Sequence, residues 1–600
     1  MSTVASWKRP LAFAAALVAV AVYPLISPGS YPIGVGTVAG AMAAGTVGFV
    51  LLLGYAHQLA FGQAGFLMIG GYTSAILCVT YGWDPFLALV VGILLSMALA
   101  YVIARPILKL RGFVLAMVSL AIQLVLIVLA LEAVSITGGA LGTQGVPKFS
   151  IFGLPLGGDL VFYYFVWVVA FICVGIGLNI DRSRIGRALK AIAASETAAG
   201  SVGIDIVKHK VQMFVISAGM ASVAGSLGVH YLRAMDPNVY GFAYSLNLLT
   251  AVIIGGLTSV WGGALGATAI TAIRELLRSL SLPLWEAVIM GTLTVVVLLA
   301  FPGGLAGAIG ALYDRLAGRE RKGRSIAVEP DPSALPPLEG GPSPGEIMLE
   351  VEGVERAFGN LRAVNKVSFK VATGSITALI GPNGAGKTTL FNLIGGYQPL
   401  DDGTVRFLGE PIEKLLPSEI AERGIGRTFQ NLHLFPNMTV LENVMCGRHR
   451  LNSAGILAIS ARLPRVAVEE EESRRAARAA LAFVGLQGAE ETYPTALSFG
   501  HQRLVEVARA MASSPTLLLM DEPASGLNDT ETERLAELIL RIAALGVTVL
   551  LVEHDMRLVM GLADQIVVMH HGEKIADDSA DVVRAHPAVI AAYLGQEAVA

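Results

Sequence analysis

Residues 381–389 read Gly-Pro-Asn-Gly-Ala-Gly-Lys-Thr-Thr, a fit to G-x-x-x-x-G-K-[ST], the loop that wraps backbone N–H groups around the phosphates of a nucleotide. Glycines at Gly381, Gly384 and Gly386, with Asn383 between them, let the backbone turn inward on the anion. Lys387 adds a point charge for the β- and γ-phosphate oxygens, and Thr388, beside Thr389, can offer its hydroxyl to Mg2+. Two acids, Asp521 and Glu522, end the apolar run Leu517–Met520. Successive strand residues point to opposite faces, so Asp521 can hold Mg2+ while Glu522 faces an attacking water as general base. A third run, Val547–Val552, ends at Glu553-His554 and puts an imidazole within reach of a γ-phosphate. The chemistry these residues suit is Mg2+-dependent hydrolysis of a nucleoside triphosphate.

Such a loop works only between a strand and a helix, and the strand-like Ser375–Ile380 and the helical Leu390–Ile394 flank it. A chance glycine-rich turn lacks those flanks. Continuous apolar strands belong to parallel sheets covered on both faces, so the chain from Met348 onward is expected to form an α/β P-loop domain. Before it, Ile326–Glu346 is rich in Pro, Gly, Ser and Glu and reads as a linker.

The first half is of another kind. The 600 residues are 54% hydrophobic with a mean hydropathy of +0.64, too apolar for a soluble protein. Net charge is +6 over the first 310 residues and −9 over the remainder. A basic apolar half matches the bias of Lys and Arg toward the cytoplasmic side, and a mildly acidic polar half gives no electrostatic reason to expect nucleic acid. Cys78, Cys173 and Cys446 form no CxxC pair, so neither a disulfide framework nor a zinc site is indicated.

Nine apolar runs lie at Leu11–Ile26 and at about 33–54, 63–81, 86–104, 112–134, 160–180, 211–232, 245–274 and 284–303, most of them near the ~20 residues that cross a bilayer. The first follows Lys8 and Arg9 without a small-residue cleavage site and is expected to be an uncleaved span. Three basic clusters belong on the cytoplasmic side with Lys8 and Arg9: Arg105, Lys109 and Arg111; Arg182, Arg184, Arg187 and Lys190; and Arg315, Arg319, Arg321, Lys322 and Arg324. Nine crossings cannot leave both ends inside. The run 245–274, interrupted by Gly255-Gly256 and Gly262-Gly263, is therefore expected as two shorter or re-entrant segments, which either line a translocation path or pack closely through small residues. Glu132, near the outer end of its run, is expected at the membrane interface, and nothing in this half reads as a substrate site.

At Leu497-Ser498-Phe499-Gly500-His501-Gln502 the sequence resembles the signature motif of ABC ATPases. With the phosphate loop, Gln430 in Arg427-Thr428-Phe429-Gln430, the Asp521-Glu522 pair, Ser525-Gly526-Leu527-Asn528 and His554, the stretch from about Met348 to Gly595 is similar to a complete ABC nucleotide-binding domain. The resemblance implies that Phe358 stacks on adenine, that Ser498 and Gly500 contact the ATP of a partner domain, and that His554 is a switch residue of catalysis. It also places Gln430 with the catalytic and Mg2+-binding groups, in the loop that couples nucleotide to the membrane. Phe499, His501 and Asn528 depart from the common pattern, where glycine, glutamine or glutamate, and aspartate are usual. This variation, the run Gly426-Arg427-Thr428-Phe429-Gln430 to Met438-Thr439-Val440-Leu441-Glu442-Asn443-Val444 and the ending Ala592-Tyr593-Leu594-Gly595 resemble the ATPases of branched-chain amino acid importers.

Most of residues 35–308 is similar to the permeases of the same importers, through Gly54-Tyr55, Phe61-Gly62-Gln63-Ala64, Gly70-Gly71-Tyr72, Leu110-Arg111-Gly112, Thr137-Gly138-Gly139, Trp261-Gly262-Gly263 and Phe301-Pro302-Gly303-Gly304-Leu305. Within Ser183–Ile204, the stretches Gly186–Lys190, Glu196–Ala199 and Gly203-Ile204 are similar to a coupling helix, with Glu196 and Gly203 as its candidate residues; an ordinary solvated basic loop is the alternative.

The expected architecture is a polytopic α-helical membrane domain (1–310), a cytoplasmic linker (311–346) and an ABC ATP-binding domain (347–600), in a bacterial inner membrane with the ATPase in the cytoplasm. The resemblance implies ATP-driven import of branched-chain amino acids, with urea or another small solute, an ABC exporter and a non-transport membrane ATPase as alternatives. It implies ATP and Mg2+ as cofactors and, as partners, a second permease and ATP-binding subunit or a second copy, with an extracytoplasmic solute-binding protein.

Overall fold

The structure, a computed structural model, describes residues 3–108, 110, 112–282, 285–301, 303–316, 329–338, 343 and 345–594. Lys109, Arg111, Pro302, Arg319, Arg321, Lys322, Arg324, Gly595 and parts of the expected linker lie outside the described residues. The chain divides into two units. One takes Met1–Arg182, Val207–Arg321 and Ile459–Ala461, the other Ser183–Ile206, Lys322–Ala458 and Arg462–Ala600.

The first unit is helical, and each apolar run appears as a helix or a bent pair. In chain order these are α1 (Thr3–Ile26), α2 (Ser30–Val50, continued by a π turn, Leu51–Tyr55), α3 (Gln63–Val79), α4 (Pro85–Ile107), α5 (Gly112–Glu132) and α6 (Gly158–Asp181). After α7 (Arg184–Ala194) and α8 (Glu196–Ser201), which belong to the second unit, come α9 (Ile206–Leu232), α10 (Phe242–Gly255), α11 (Val260–Ser279), α12 (Glu286–Ala300) and α13 (Gly304–Leu316). Among the described residues five helices are long and apolar enough to cross a membrane, and two bent pairs add up to two more spans. Local chemistry sets the ends: Asp84 caps α4 by accepting from the Phe86 N–H at 3.0 Å, with Pro85 in the first turn, where no N–H is missed. Glu132 is the exposed last residue of α5.

Some of the polar side chains buried between these helices are paired with each other or with backbone carbonyls, which offsets the cost of placing them in an apolar surrounding. Gln123 donates to the Tyr240 carbonyl at 2.9 Å and accepts from the Ser245 hydroxyl at 2.8 Å. His230 Nδ1 lies 2.8 Å from the Pro147 carbonyl, which can only accept, so Nε2 is left to accept from the Ser74 hydroxyl at 2.9 Å.

The expected break in 245–274 falls at Gly256, between α10 and α11, which bend by 118°. Gly262 and Gly263 do not interrupt the chain. They lie inside α11 at the contact, and a Cβ on Gly255 would stand 1.8 Å from the Gly262 carbonyl oxygen. Close packing through small residues is thus what these glycines provide.

The second unit is α/β. An antiparallel sheet has the order β2 (Leu361–Ala372), β1 (Ile347–Phe358), β4 (Asp402–Phe407), β5 (Glu410–Pro411). A six-stranded sheet has the order β6 (Ile425–Arg427), β7 (Leu517–Asp521), β8 (Thr548–Val552), β3 (Ile376–Ile380), β9 (Gln565–His570), β10 (Glu573–Asp578), parallel except for the last pair. Every residue of β3, β7 and β8 is buried. Alternation along them builds two cores: Ile376, Ala378, Leu518, Met520, Val549 and Leu551 on one face, and Leu379, Leu517, Leu519, Leu550 and Val552 on the other. The helices used below are α14 (Lys387–Ile394), α15 (Val440–Gly447), α16 (Pro464–Phe483), α17 (Phe499–Ala512) and α18 (Asp529–Ala544). Part of the expected linker is laid on this unit: Leu335 and Leu338 pack against the first core, and the N–H groups of Asp331 and Leu338 donate to the carbonyls of Ala482 and Leu545. The helix α13 also runs beyond residue 310, where the linker was expected to start.

Gly255→Ala is expected to destabilise the protein by about 1–3 kcal/mol or more, because a backbone carbonyl cannot move aside as a side chain can. Gly291→Ala, with nothing within 4 Å of the new methyl, should be neutral or stabilising. Thermal unfolding of the detergent-solubilised variants measures both; the reverse order would sink the account of the bend.

Candidate nucleotide-binding and coupling site

The loop after β3 turns into α14 through Gly386, whose φ is +99° and whose Cβ, were there one, would lie 2.1 Å from the Ala363 carbonyl oxygen. Only glycine fits there. Lys387, 6% exposed, donates from Nζ to the carbonyls of Gly381 (2.7 Å) and Pro382 (3.1 Å), so its charge stays inside the loop. Burial lowers its pKa, against the pull of the Glu522 and Asp521 carboxylates.

Asp521 and Glu522 are separated by a different device from the one strand alternation suggests. β7 ends at Asp521, and Glu522 takes the left-handed conformation, with φ +44°. Asp521 is buried; Oδ2 lies 3.4 Å from Arg427 Nη2, and Oδ1 has no hydrogen-bond partner. Burial raises its pKa and Arg427 opposes the rise. Glu522 accepts a hydrogen bond from Gln430 Nε2 at 2.8 Å, and His554 Nδ1 lies 3.8 Å from the same oxygen.

A cleft of about 550 Å³ is lined by Phe358, Asn383, Gly384, Gly386, Lys387, Thr388, Thr389, Gln430 and Glu522. One adjoining space of about 370 Å³ is lined by Thr388, Gln430 and Asp521, the three expected Mg2+-binding residues, with Arg427 and Thr197. Phe358 is 45% exposed at the end of β1, with the Arg356 guanidinium 5.0 Å from its ring centroid. Ser498 and Gly500 are outside this cleft. Ser498 caps α17, with Oγ 3.4 Å from the His501 N–H it accepts, and Gly500 faces the Glu531 carboxylate.

Two of the three departures from the common motif, Phe499 and Asn528, have local settings that accommodate them. The Phe499 ring lies over Gly526, where a Cβ would come within 2.9 Å of it. Asn528 caps α18, accepting from the Glu531 N–H at 2.9 Å while Glu531 accepts from the Asn528 N–H at 3.2 Å. Asparagine caps a helix as well as aspartate does.

Residues 183–206 form two helices, not one. Ala188, Ala191, Ile192, Ala198, Ala199, Val202 and Ile204 share a buried cluster with Phe429, Phe435, Met438 and Cys446, and Tyr397 Oη donates to the Thr197 carbonyl at 3.1 Å. Glu196 opens α8, where a carboxylate suits the positive helix end, and Gly203, with φ +78°, sits 3.2 Å from the Arg450 Cβ as measured to an added methyl. Sequence reasoning missed two arginines, which it explained by topology alone. Arg184 donates to the carbonyls of His449, Asn452 and Ala454, and Arg187 makes a bidentate pair with Glu470 at 2.7 and 3.0 Å, both side chains largely buried. The signal was the glutamate run Glu469–Glu472, which calls for a basic partner.

Three family models match the chain: "ABC transporter" over residues 364–525, "Branched-chain amino acid transport system / permease component" over 31–298, and "Branched-chain amino acid ATP-binding cassette transporter" over 573–599. Over 250 residues the chain is 42% identical to the high-affinity branched-chain amino acid transport ATP-binding protein BraF of Pseudomonas aeruginosa, covering 42% of this chain and 98% of that protein. It is 39% identical over 250 residues to LivG of Escherichia coli, a protein described in the same words, with the same coverage. A solved nucleotide-free ATP-binding cassette from an ABC transporter is 32% identical, with a TM-score of 0.37, and the match covers 42% of this chain and all of that one.

Arg187→Glu and Glu470→Arg should each lower the unfolding temperature of the purified protein, since breaking a buried pair costs about 3–5 kcal/mol. The double exchange should recover most of the loss. No recovery would mean that the pair does not hold α7 in place.

Proposed function

This chain belongs to the branched-chain amino acid ABC transport family, and from that premise we propose that it imports branched-chain amino acids at the expense of ATP, as a permease joined in one polypeptide to its ATPase. The observation that carries the reading is Glu522 beside the phosphate loop, with its carboxylate held by Gln430. Phe358 offers a ring to adenine, and Gly381, Asn383, Gly384, Gly386, Lys387, Thr388 and Thr389 receive the phosphates. Glu522 takes the proton of the attacking water as general base, and His554 and Gln430 orient the water and γ-phosphate. The site suits Mg2+: the Asp521 Oδ1 atom is buried without a partner in the space that Thr388 and Gln430 also line. Bound there, Mg2+ would neutralise charge developing on the phosphates.

Ser498 and Gly500 complete another molecule's site, which fits their place outside the cleft. One chain has one phosphate loop and one signature motif, so the working assembly needs a second ATPase and a second permease, for which two different subunits are favoured over a second copy. An extracytoplasmic binding protein delivers the solute. The permease match over 31–298 favours import of this class over urea uptake, export or a non-transport ATPase. The apolar helices of residues 1–310 lie in a bacterial inner membrane and residues 347–600 in the cytoplasm, and Glu196 and Gly203 belong to the coupling stretch of α7 and α8.

Glu522→Gln should retain ATP affinity and lose about 10²–10⁴-fold in turnover, since only the base is removed. Lys387→Ala should weaken ATP binding itself, because a charge on the phosphates is lost. Nucleotide titration and phosphate release distinguish the two; wild-type turnover in Glu522→Gln would remove it as the base. Labelled leucine accumulating in proteoliposomes, with the partner subunits and binding protein present, tests the transport reading, and ATP hydrolysis without accumulation would refute it.

A further inference from the structure

The helix α17 carries three charged residues one turn apart, Arg503, Glu506 and Arg509, and all three are 0–1% exposed. Glu506 lies between the guanidiniums, with Oε2 2.8 Å from Arg503 Nη1 and Oε1 3.6 Å from Arg509 Nη2. Taking three charges out of water is expensive, and apolar residues of similar size often serve stability as well. What the triad does is hold the backbone of one loop. Arg503 donates to the carbonyls of Phe429 (2.6 Å) and Gln430 (2.8 Å), Arg509 to that of His433 (2.7 Å), and Glu506 accepts from the Phe429 N–H at 3.3 Å.

The side chains of that loop point to two other places. Gln430 reaches Glu522, while Phe429 and Phe435 are buried with α7 and α8, the latter ring 4.9 Å from the Arg509 guanidinium. The loop thus touches the hydrolytic acid, the coupling helices and, through the triad, the helix whose first turn carries Ser498 and Gly500.

We infer that Arg503, Glu506 and Arg509 are positioning residues that fix the 429–433 backbone to α17, so that a displacement of the signature turn moves Gln430 and the coupling helices together. A carbonyl gripped by a guanidinium at 2.6–2.8 Å follows it, whereas apolar contact of equal area would let the loop slide. The inference rests on the transport reading above. It adds that the cleft and the coupling helices are linked through buried charge.

The assembly recovered with this chain from its native membrane is placed in proteoliposomes, and leucine uptake, ATP hydrolysis and ATP affinity are measured together. Two variants are compared: Glu506→Gln, which keeps shape and removes charge, and the apolar triple Arg503→Met, Glu506→Leu, Arg509→Met. Both are expected to bind ATP within twofold of wild type and to lose at least tenfold in leucine taken up per ATP hydrolysed. The triple should unfold at a temperature no lower than wild type, which a purely structural loss would not allow. Normal uptake per ATP in the folded triple overturns the inference, and so does failure of both variants to fold, since the triad would then be a stability element. A wild-type assembly that hydrolyses ATP without leucine uptake counts against the transport reading instead; the inference then stands or falls on whether Glu506→Gln lowers turnover at unchanged ATP affinity.

Discussion

Parallel strands in register end at one edge of their sheet. With Leu519 opposite Leu550, and Leu550 opposite Thr377, the ends of β7, β8 and β3 lie side by side, and the residues that follow them meet. Gly381, the Asp521-Glu522 pair and Glu553-His554 are about 30 to 170 residues apart in sequence, yet this pairing brings them to one edge. The register is held by burial on both faces, since a slip of one residue would exchange the two cores. The phosphate loop, the acids and the loop around Gln430 all hang from that alignment.

The parts legible in the sequence were those where residue type and local geometry are one statement. A loop of the form Gly381–Thr389 permits few conformations, and β3 and β7, apolar except for Thr377 and Asp521, could not be surface strands. Among the described residues each apolar run appears as a helix or a bent pair, because length and hydropathy are local properties, but five to seven spans, not nine or more, are long and apolar enough to cross a membrane. What escaped depends on partners distant in sequence. Arg187 looks like any cytoplasmic arginine until Glu470 is beside it, and Arg503, Glu506 and Arg509 have the spacing of an ordinary solvated helix face. The linker was legible only in part for the same reason: proline and glycine content marked a connecting segment, but not that Leu335 and Leu338 would find seats on a core. In the membrane unit, Gly262-Gly263 read as a second break because sequence cannot tell a glycine that bends a helix from one that admits a neighbour.

Between α7 and α8 and the rest of the second unit the structure uses two kinds of contact. Small apolar residues, Ala188, Ala191, Ala198 and Ala199, let α7 and α8 lie close to Phe429 and Phe435, while Arg184 and Arg187 fix their direction through carbonyls and a carboxylate. The apolar part gives affinity without direction and the arginines give direction.

The left-handed backbone of Glu522 has a consequence for the history of such a chain. A glutamate held at φ +44° is under strain that glycine or asparagine would relieve, so natural drift at this position has a stabilising exit that, on the role proposed for Glu522, abolishes the reaction. A copy released from selection for hydrolysis should take that exit, and gain stability as it falls silent. On the role proposed for it, a glutamate kept at this position carries backbone strain for the sake of its carboxylate.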